Sequence, residues 1–142
     1  MDDPERMIKL VHHIDLNEAY AALQHEEAGG VNLFIGTVRN HTPGKSGVTQ
    51  LDFEGYEPMA IKEMEKLAEE AKRKWPIKKL VMIHALGEKK IGEAVVVIGT
   101  SAAHRSDSFA SCRFLIDELK KSVPIWKKEH FEDQTVWVNA HP

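Results

Sequence analysis

Hydrophobic positions along this chain change period several times, and each change predicts an element. From Ala94 to Ile98 the residues are continuously apolar, which predicts a buried strand within Glu93 to Ser101. Phe109, Cys112, Leu115, Ile116 and Leu119 then recur at steps of three and four, predicting a helix with Ser106 as its hydroxyl cap. Pro124 stops that helix, and Ile125-Trp126 bury the chain again. Earlier in the chain, Met7 to Ile14 predicts a first strand. Asp15 and Glu18 have the spacing of a capping box for a helix that buries Leu16, Ala19, Tyr20 and Leu23 and ends at Gly29-Gly30. Val31 to Val38 reads as a strand with Val31, Leu33 and Ile35 on one face. Phe34 and Gly36 take the other, the glycine implying a neighbour close to that face.

Arg39 to Gly47 is polar and carries two glycines and a proline, so a mobile loop is expected there. Val48 to Gly55 alternates through Leu51 and Phe53, a strand expected to pair back across that loop. Pro58 suits the first helical position, followed by a stripe of Ala60, Met64, Leu67, Ala68, Ala71 and Trp75 that Pro76 ends; Met59 and Met64 read as core filler. Lys79 to Leu86 predicts another strand, joined to the one at Glu93 by the hairpin-like GEKKIG. A loop from His130 to Asp133 leads to a last strand, Gln134 to Val138, with Val136 and Val138 on one face. This order predicts an α+β fold with a mixed or antiparallel sheet, as a single domain over residues 1–142 without repeats or linkers.

Charge narrows the function classes. The net charge is -3, which argues against a general nucleic-acid binder. With 42% hydrophobic residues and no run near the ~20 apolar residues of a membrane span, a soluble, cytoplasmic protein is expected, not a membrane one. The single cysteine excludes an intramolecular disulfide and fits a reducing compartment.

The candidate chemistry gathers around the predicted helix at Phe109. His104-Arg105 precede its free N–H groups, a combination suited to an anion such as phosphate. Lys120 lies seven residues after Arg113, on the same edge of the apolar stripe. Asp117 is spaced to pair with Lys121, which leaves Lys120 as the unusual lysine. Lysines beside apolar anchors are candidates for lowered pKa and proton transfer, although cations also suit a helix C-terminus for its dipole alone. Arg39 ends a strand, where either a functional cation or a solvated one can sit. The histidines show no metal-site spacing; His84 reads as a satisfied core or interface group and Cys112 as packing.

Four blocks, FIGTVRN (Phe34 to Asn40), YEPMA (Tyr56 to Ala60), SAAHRSDSF (Ser101 to Phe109) and LIDELKKSVPIWKKE (Leu115 to Glu129), resemble in order and spacing the large subunit of molybdopterin synthase, the MoaE family. The likeness runs from about Gly30 to Val138. It implies an α/β hammerhead-type fold and sulfur transfer to a cyclic pyranopterin monophosphate, forming the dithiolene of molybdopterin. The sulfur donor it implies is a small ubiquitin-like partner with a C-terminal Gly-Gly thiocarboxylate, so that no metal or organic cofactor is needed. By the same resemblance, Lys120 and Lys127 are catalytic, and Arg39, His104 and Arg105 bind the substrate, with Lys128, Glu129, Thr37 and Val38 beside them. Thr37 stands where many family members carry lysine. A central homodimer is also implied. Two other classes compete with this reading: a non-catalytic anion-binding module, and an interaction protein built around a peptide-tail groove.

Overall fold

The two most apolar segments lie side by side at the centre of the main sheet. They are β6 (Ile77–Ala85) and β8 (Ala94–Ala102), antiparallel with Leu80 opposite Thr100 and His84 opposite Val96. β1 (Arg6–Val11) joins β6 in parallel and β2 (Gly30–Thr37) joins β8 antiparallel, giving the order β1-β6-β8-β2 and a mixed sheet. The structure is a computed structural model and describes residues 6–42, 45–131 and 135–139.

Both faces of this sheet are covered, which explains why β6 and β8 read as apolar runs rather than alternations. Leu80, Met82, Val96 and Ile98 face α2 (Glu57–Lys74) and α3 (Arg105–Ser122). Val81, Ile83 and Val97 face Ala19 of the short α1 (Leu16–Ala22) and Leu23, which caps it. The Asp15 carboxylate caps α1, accepting from the N–H groups of Asn17 at 3.0 Å and Glu18 at 3.2 Å. Glu18 itself pairs with Lys9 instead of completing the box. Only Ala19 and Leu23 of α1's expected stripe reach the core; Leu16 and Tyr20 are exposed. Nor do Gly29-Gly30 end the helix, because Leu23 already caps it. The neighbour implied by Gly36 is Val96, whose Cγ1 would lie 2.5 Å from any added Cβ.

The second sheet departs most from expectation. β5 (Val48–Gly55) pairs not with β2 but with β9 (Ile125–Phe131) on one side and β7 (Gly87–Lys90) on the other. β10 (Thr135–Asn139) adds to β9, for an order of β10-β9-β5-β7. Thus GEKKIG is not a simple hairpin link, since Gly87–Lys90 is a strand of the other sheet. The expected loop at His130 is still strand as far as Phe131, and Gln134 and Asp133 lie outside the described residues. Within Arg39 to Gly47, the short strands β3 (His41–Thr42) and β4 (Lys45–Ser46) pair with each other; Pro43 and Gly44 lie outside the described residues.

In α2, Pro58 is the second residue, and Ala60, Met64, Leu67, Ala68 and Ala71 are buried as expected. Met59 is exposed, so only Met64 fills the core. In α3 the expected cap is displaced. His104 occupies the cap position without a side-chain hydrogen bond, and Ser106 lies inside the first turn. Phe109 is exposed as well. The first turns instead meet β8 through small polar groups: Ser108 Oγ donates to the Thr100 carbonyl at 3.0 Å, and Thr100 Oγ1 to the Ser108 carbonyl at 2.8 Å. Asp117 pairs with Arg113 at 3.5 Å, and Lys121 with Glu118 at 3.0 Å, in place of the Asp117–Lys121 pair. Arg113 therefore faces solvent instead of the edge of the stripe. Cys112 is buried, and its desolvated thiol is pushed up to about 11, as a packing residue requires.

His84 is a core group. Its Nδ1 lies 2.8 Å from the Ala85 carbonyl and its ring centroid 5.3 Å from that of Phe53. Burial lowers its pKa from 6.5 to about 4, the Ala85 contact opposing. The folded state therefore binds fewer protons than the unfolded chain between those values. Stability from neutral His84 is complete above pH 6.5 and is lost as pH falls through 4. Urea unfolding should show a loss on the order of 3 kcal/mol from this group by pH 4, and His84→Leu should flatten that segment of the pH profile.

Candidate active site

The end of β2, the last turn of α3 and the middle of β9 deliver cations to one place. β9 alternates: Ile125, Glu129 and Phe131 are buried with Lys127 on their face, while Trp126, Lys128 and His130 take the other. The Lys127 side chain is 14% exposed, and its Nζ lies 3.8 Å from Glu129 Oε2. Burial depresses the Lys127 pKa, and the positive charges of Arg39 and Lys120 depress it further; the Glu129 carboxylate opposes them. Arg39 and Lys120 are exposed. Three cations and one carboxylate from distant parts of the sequence thus share an electrostatic site.

This cluster can hold an anion between Arg39 and Lys120 while Lys127 exchanges protons at reduced cost. Thr37 is exposed at the same corner, at the end of β2 beyond a register shift at Gly36/Thr37. Val38 is different. It is 3% exposed and belongs to the core, its N–H donating to the Glu93 carbonyl at 3.1 Å and its carbonyl accepting from Gly92 at 2.8 Å. Val38 is framework beneath the site, not a surface that a ligand meets. Lys128, opposite Asp52 of β5, is turned to the other face from Lys127 and Glu129. Strand alternation separates residues that sequence adjacency had grouped.

His104 and Arg105 form a second group at the opposite end of α3. The helix runs from Arg105 to Ser122 as one element. The ~15 residues from Arg105 to Lys120 span roughly 20 Å at about 1.5 Å each. Beside His104-Arg105 a small recess is lined by Gly30, Val31, Asn32, Arg105, Ser108 and Phe109. Here the pair Gly29-Gly30 finds its use. A Cβ on Gly29 would lie 2.5 Å from the Ala103 carbonyl oxygen, and one on Gly30 3.0 Å from Arg105 Cα. These glycines let β2 pass against the corner that presents His104 and Arg105. A Gly-Gly pair can signal such an approach as well as a helix end, and only the packing distinguishes them.

Lys89 is the other group that the sequence did not single out. It reads as a turn residue in GEKKIG, yet it is 1% exposed. Among the described residues no cluster of His, Cys, Asp and Glu could hold a metal ion.

The family model described as MoaE protein matches residues 11–122. Molybdopterin synthase catalytic subunit 1 of Aedes aegypti is 44% identical over 121 residues, covering 84% of this chain and 77% of that protein. The molybdopterin synthase catalytic subunit of Pyrococcus abyssi is 36% identical over 134 residues, covering 94% and 90%. Among solved structures, molybdopterin synthase from Staphylococcus aureus superposes with a TM-score of 0.86 at 31% identity, covering 97% of this chain and 98% of that one. A chain from the protein–protein complex of subunits 1 and 2 of molybdopterin-converting factor from Helicobacter pylori superposes with a TM-score of 0.77 at 25% identity, covering 95% and 93%.

Proposed function

The chain belongs to the MoaE family, and from that premise we propose that it is the catalytic subunit of a molybdopterin synthase. It moves sulfur from the C-terminal thiocarboxylate of a small ubiquitin-like partner to cyclic pyranopterin monophosphate, making the dithiolene. The observation that carries this reading is the convergence of Arg39, Lys120 and the largely buried Lys127 with Glu129. A bare anion binder would need neither Lys120 nor a Lys127 drawn out of solvent beside a carboxylate.

Arg39 holds an anionic oxygen of the pterin. Lys120 neutralises the thiocarboxylate and stabilises the oxyanion that forms at its carbonyl carbon. Lys127 passes protons as sulfur leaves the partner, with Glu129 holding its ammonium in place. Thr37 lies within the same corner, and Lys128 projects from the other face of β9. No metal or organic cofactor enters, because the partner supplies the sulfur. Among the described residues no helix is long and apolar enough to cross a membrane, in keeping with a cytoplasmic enzyme.

Two surfaces support the assembly. Tyr56, Met59 and Trp126 are exposed around the paired ends of β5 and β9, beside the cationic cluster, and suit the partner and its tail. The subunit 1–subunit 2 complex described for the Helicobacter pylori relative favours such a partner. β2 is an edge strand; Val31 and Phe109 are exposed beside Arg105, and Phe34 and Ile35 are exposed further along the strand. A second copy of the chain fits there. The resulting twofold dimer carries His104-Arg105 of one subunit to Arg39, Lys120 and Lys127 of the other.

The test is a single-turnover assay with the thiocarboxylated partner. Dithiolene product is expected with a native Gly-Gly tail. Replacing the last glycine by a bulky residue should block turnover, because a Cβ crowds a groove that fits bare backbone. Tail binding without product would instead mark an interaction protein, and pterin binding without product an anion-binding module.

A further inference from the structure

Lys89, in β7, is the one lysine in the buried set among the described residues. Its ammonium donates to the carbonyl of His12, just past β1, and lies 3.4 Å from Glu93 Oε2. The Glu93 carboxylate is held from two further sides, by the Lys90 N–H at 3.1 Å and by His13 Nδ1 at 3.2 Å. The backbone of the same turn grips β2. The Glu93 carbonyl accepts the Val38 N–H at 3.1 Å, and the Gly92 N–H donates to the Val38 carbonyl at 2.8 Å. Both backbone groups of the residue before Arg39 are therefore held by the Gly92-Glu93 turn.

We propose that Lys89 and Glu93 form a positioning lock for Arg39, acting through the backbone of Val38. The lock rests on the reading of Arg39 as an anion anchor. A buried ion pair is weak evidence for stability, since well-packed apolar side chains often replace one at little cost. What methionine at position 89 cannot do is hold the Glu93 carboxylate against β1. The His12 carbonyl and Glu93 then lose their common partner, the Gly92-Glu93 turn loosens, and the Arg39 guanidinium no longer meets its anion at a fixed place. Lys120 and Lys127 come from α3 and β9 and keep their own places; the lock reaches them only through the charge of Arg39.

The experiment uses the full complex with its thiocarboxylated partner. It compares Lys89→Met, Lys89→Arg, Glu93→Gln, Arg39→Ala and the double variant Lys89→Met/Arg39→Ala. Lys89→Met and Glu93→Gln should raise KM for the pterin about tenfold, with kcat within about twofold. Lys89→Arg should recover part of the loss. Adding Lys89→Met to Arg39→Ala should raise KM no further, because the lock acts only through that guanidinium. A folded Lys89→Met protein with unchanged KM overturns the lock, as do additive effects in the double variant. If Lys89→Met does not fold, the isosteric Glu93→Gln decides by the same KM comparison. An Arg39→Ala protein with unchanged KM strikes the anchor reading itself and removes the lock with it. A raised KM in Arg39→Ala with none in Lys89→Met or Glu93→Gln strikes the lock alone.

Discussion

Lys120→Ala should reduce dithiolene formation by at least about a hundredfold while leaving thermal stability nearly unchanged. Lys120 is exposed in the last turn of α3, and among the described residues no ion pair involves it. Removing such a side chain changes stability by about 0.5 kcal/mol or less. The site loses more. The positive charge of Lys120 helps to hold the Lys127 pKa down, after burial and Arg39, so its removal lets Lys127 titrate closer to the ordinary lysine range. The pH–rate profile of any residual activity should shift upward accordingly. Lys121→Ala is the control. Its ammonium pairs with Glu118 at 3.0 Å on the solvent side, and losing that pair should cost a few tenths of a kcal/mol and little activity. Equal activities of the two variants in a turnover assay would refute the role of Lys120.

Mixing two inactive proteins should restore activity. His104→Ala/Arg105→Ala lacks one group of the proposed site and Lys120→Ala lacks the other. α3 is unbroken from Arg105 to Ser122, so roughly 20 Å separates the groups within one chain. A small pterin does not bridge that distance along a straight helix. In a twofold dimer each site takes His104-Arg105 from one subunit and Lys120 from its partner. A heterodimer of the two variants then holds one intact site and one doubly damaged site. Random exchange at equal amounts makes half of the dimers hybrid, so activity should recover to about a quarter of wild type. Exchange can be followed by mass spectrometry of the native dimers. Complete exchange with no recovered activity would place the whole site within one subunit and remove the dimer from the mechanism.

Some of this protein is written in local pattern. The runs in β6 and β8, the stripe of α2 and the Asp15 cap are read correctly from sequence, because burial on a regular element leaves a period and a cap needs only its neighbours. Local position makes Arg39 and the lysines near the end of α3 candidates, but their roles come from motifs that resemble a family, and neither period nor charge joins residues from the end of β2, α3 and β9. The same limit explains the failures. Alternation in Val48 to Gly55 shows a half-buried strand but not its partners, and β9, some seventy residues away, took the place expected of β2. Phe109 and Tyr20 fit their helical stripes, yet both are exposed, and Ser108 and Leu23 take the inward positions. Lys128 stands next to Lys127 in sequence but across the sheet from it in space. Lys89 looks like any lysine in a turn until β1 and Glu93 are brought over it. Period and capping are properties of a few consecutive residues, and the chain carries them wherever it folds. Strand partners, buried charges and the meeting of distant cations depend on which elements pack together, and that choice is made by the total apolar surface that the whole chain can bury at once.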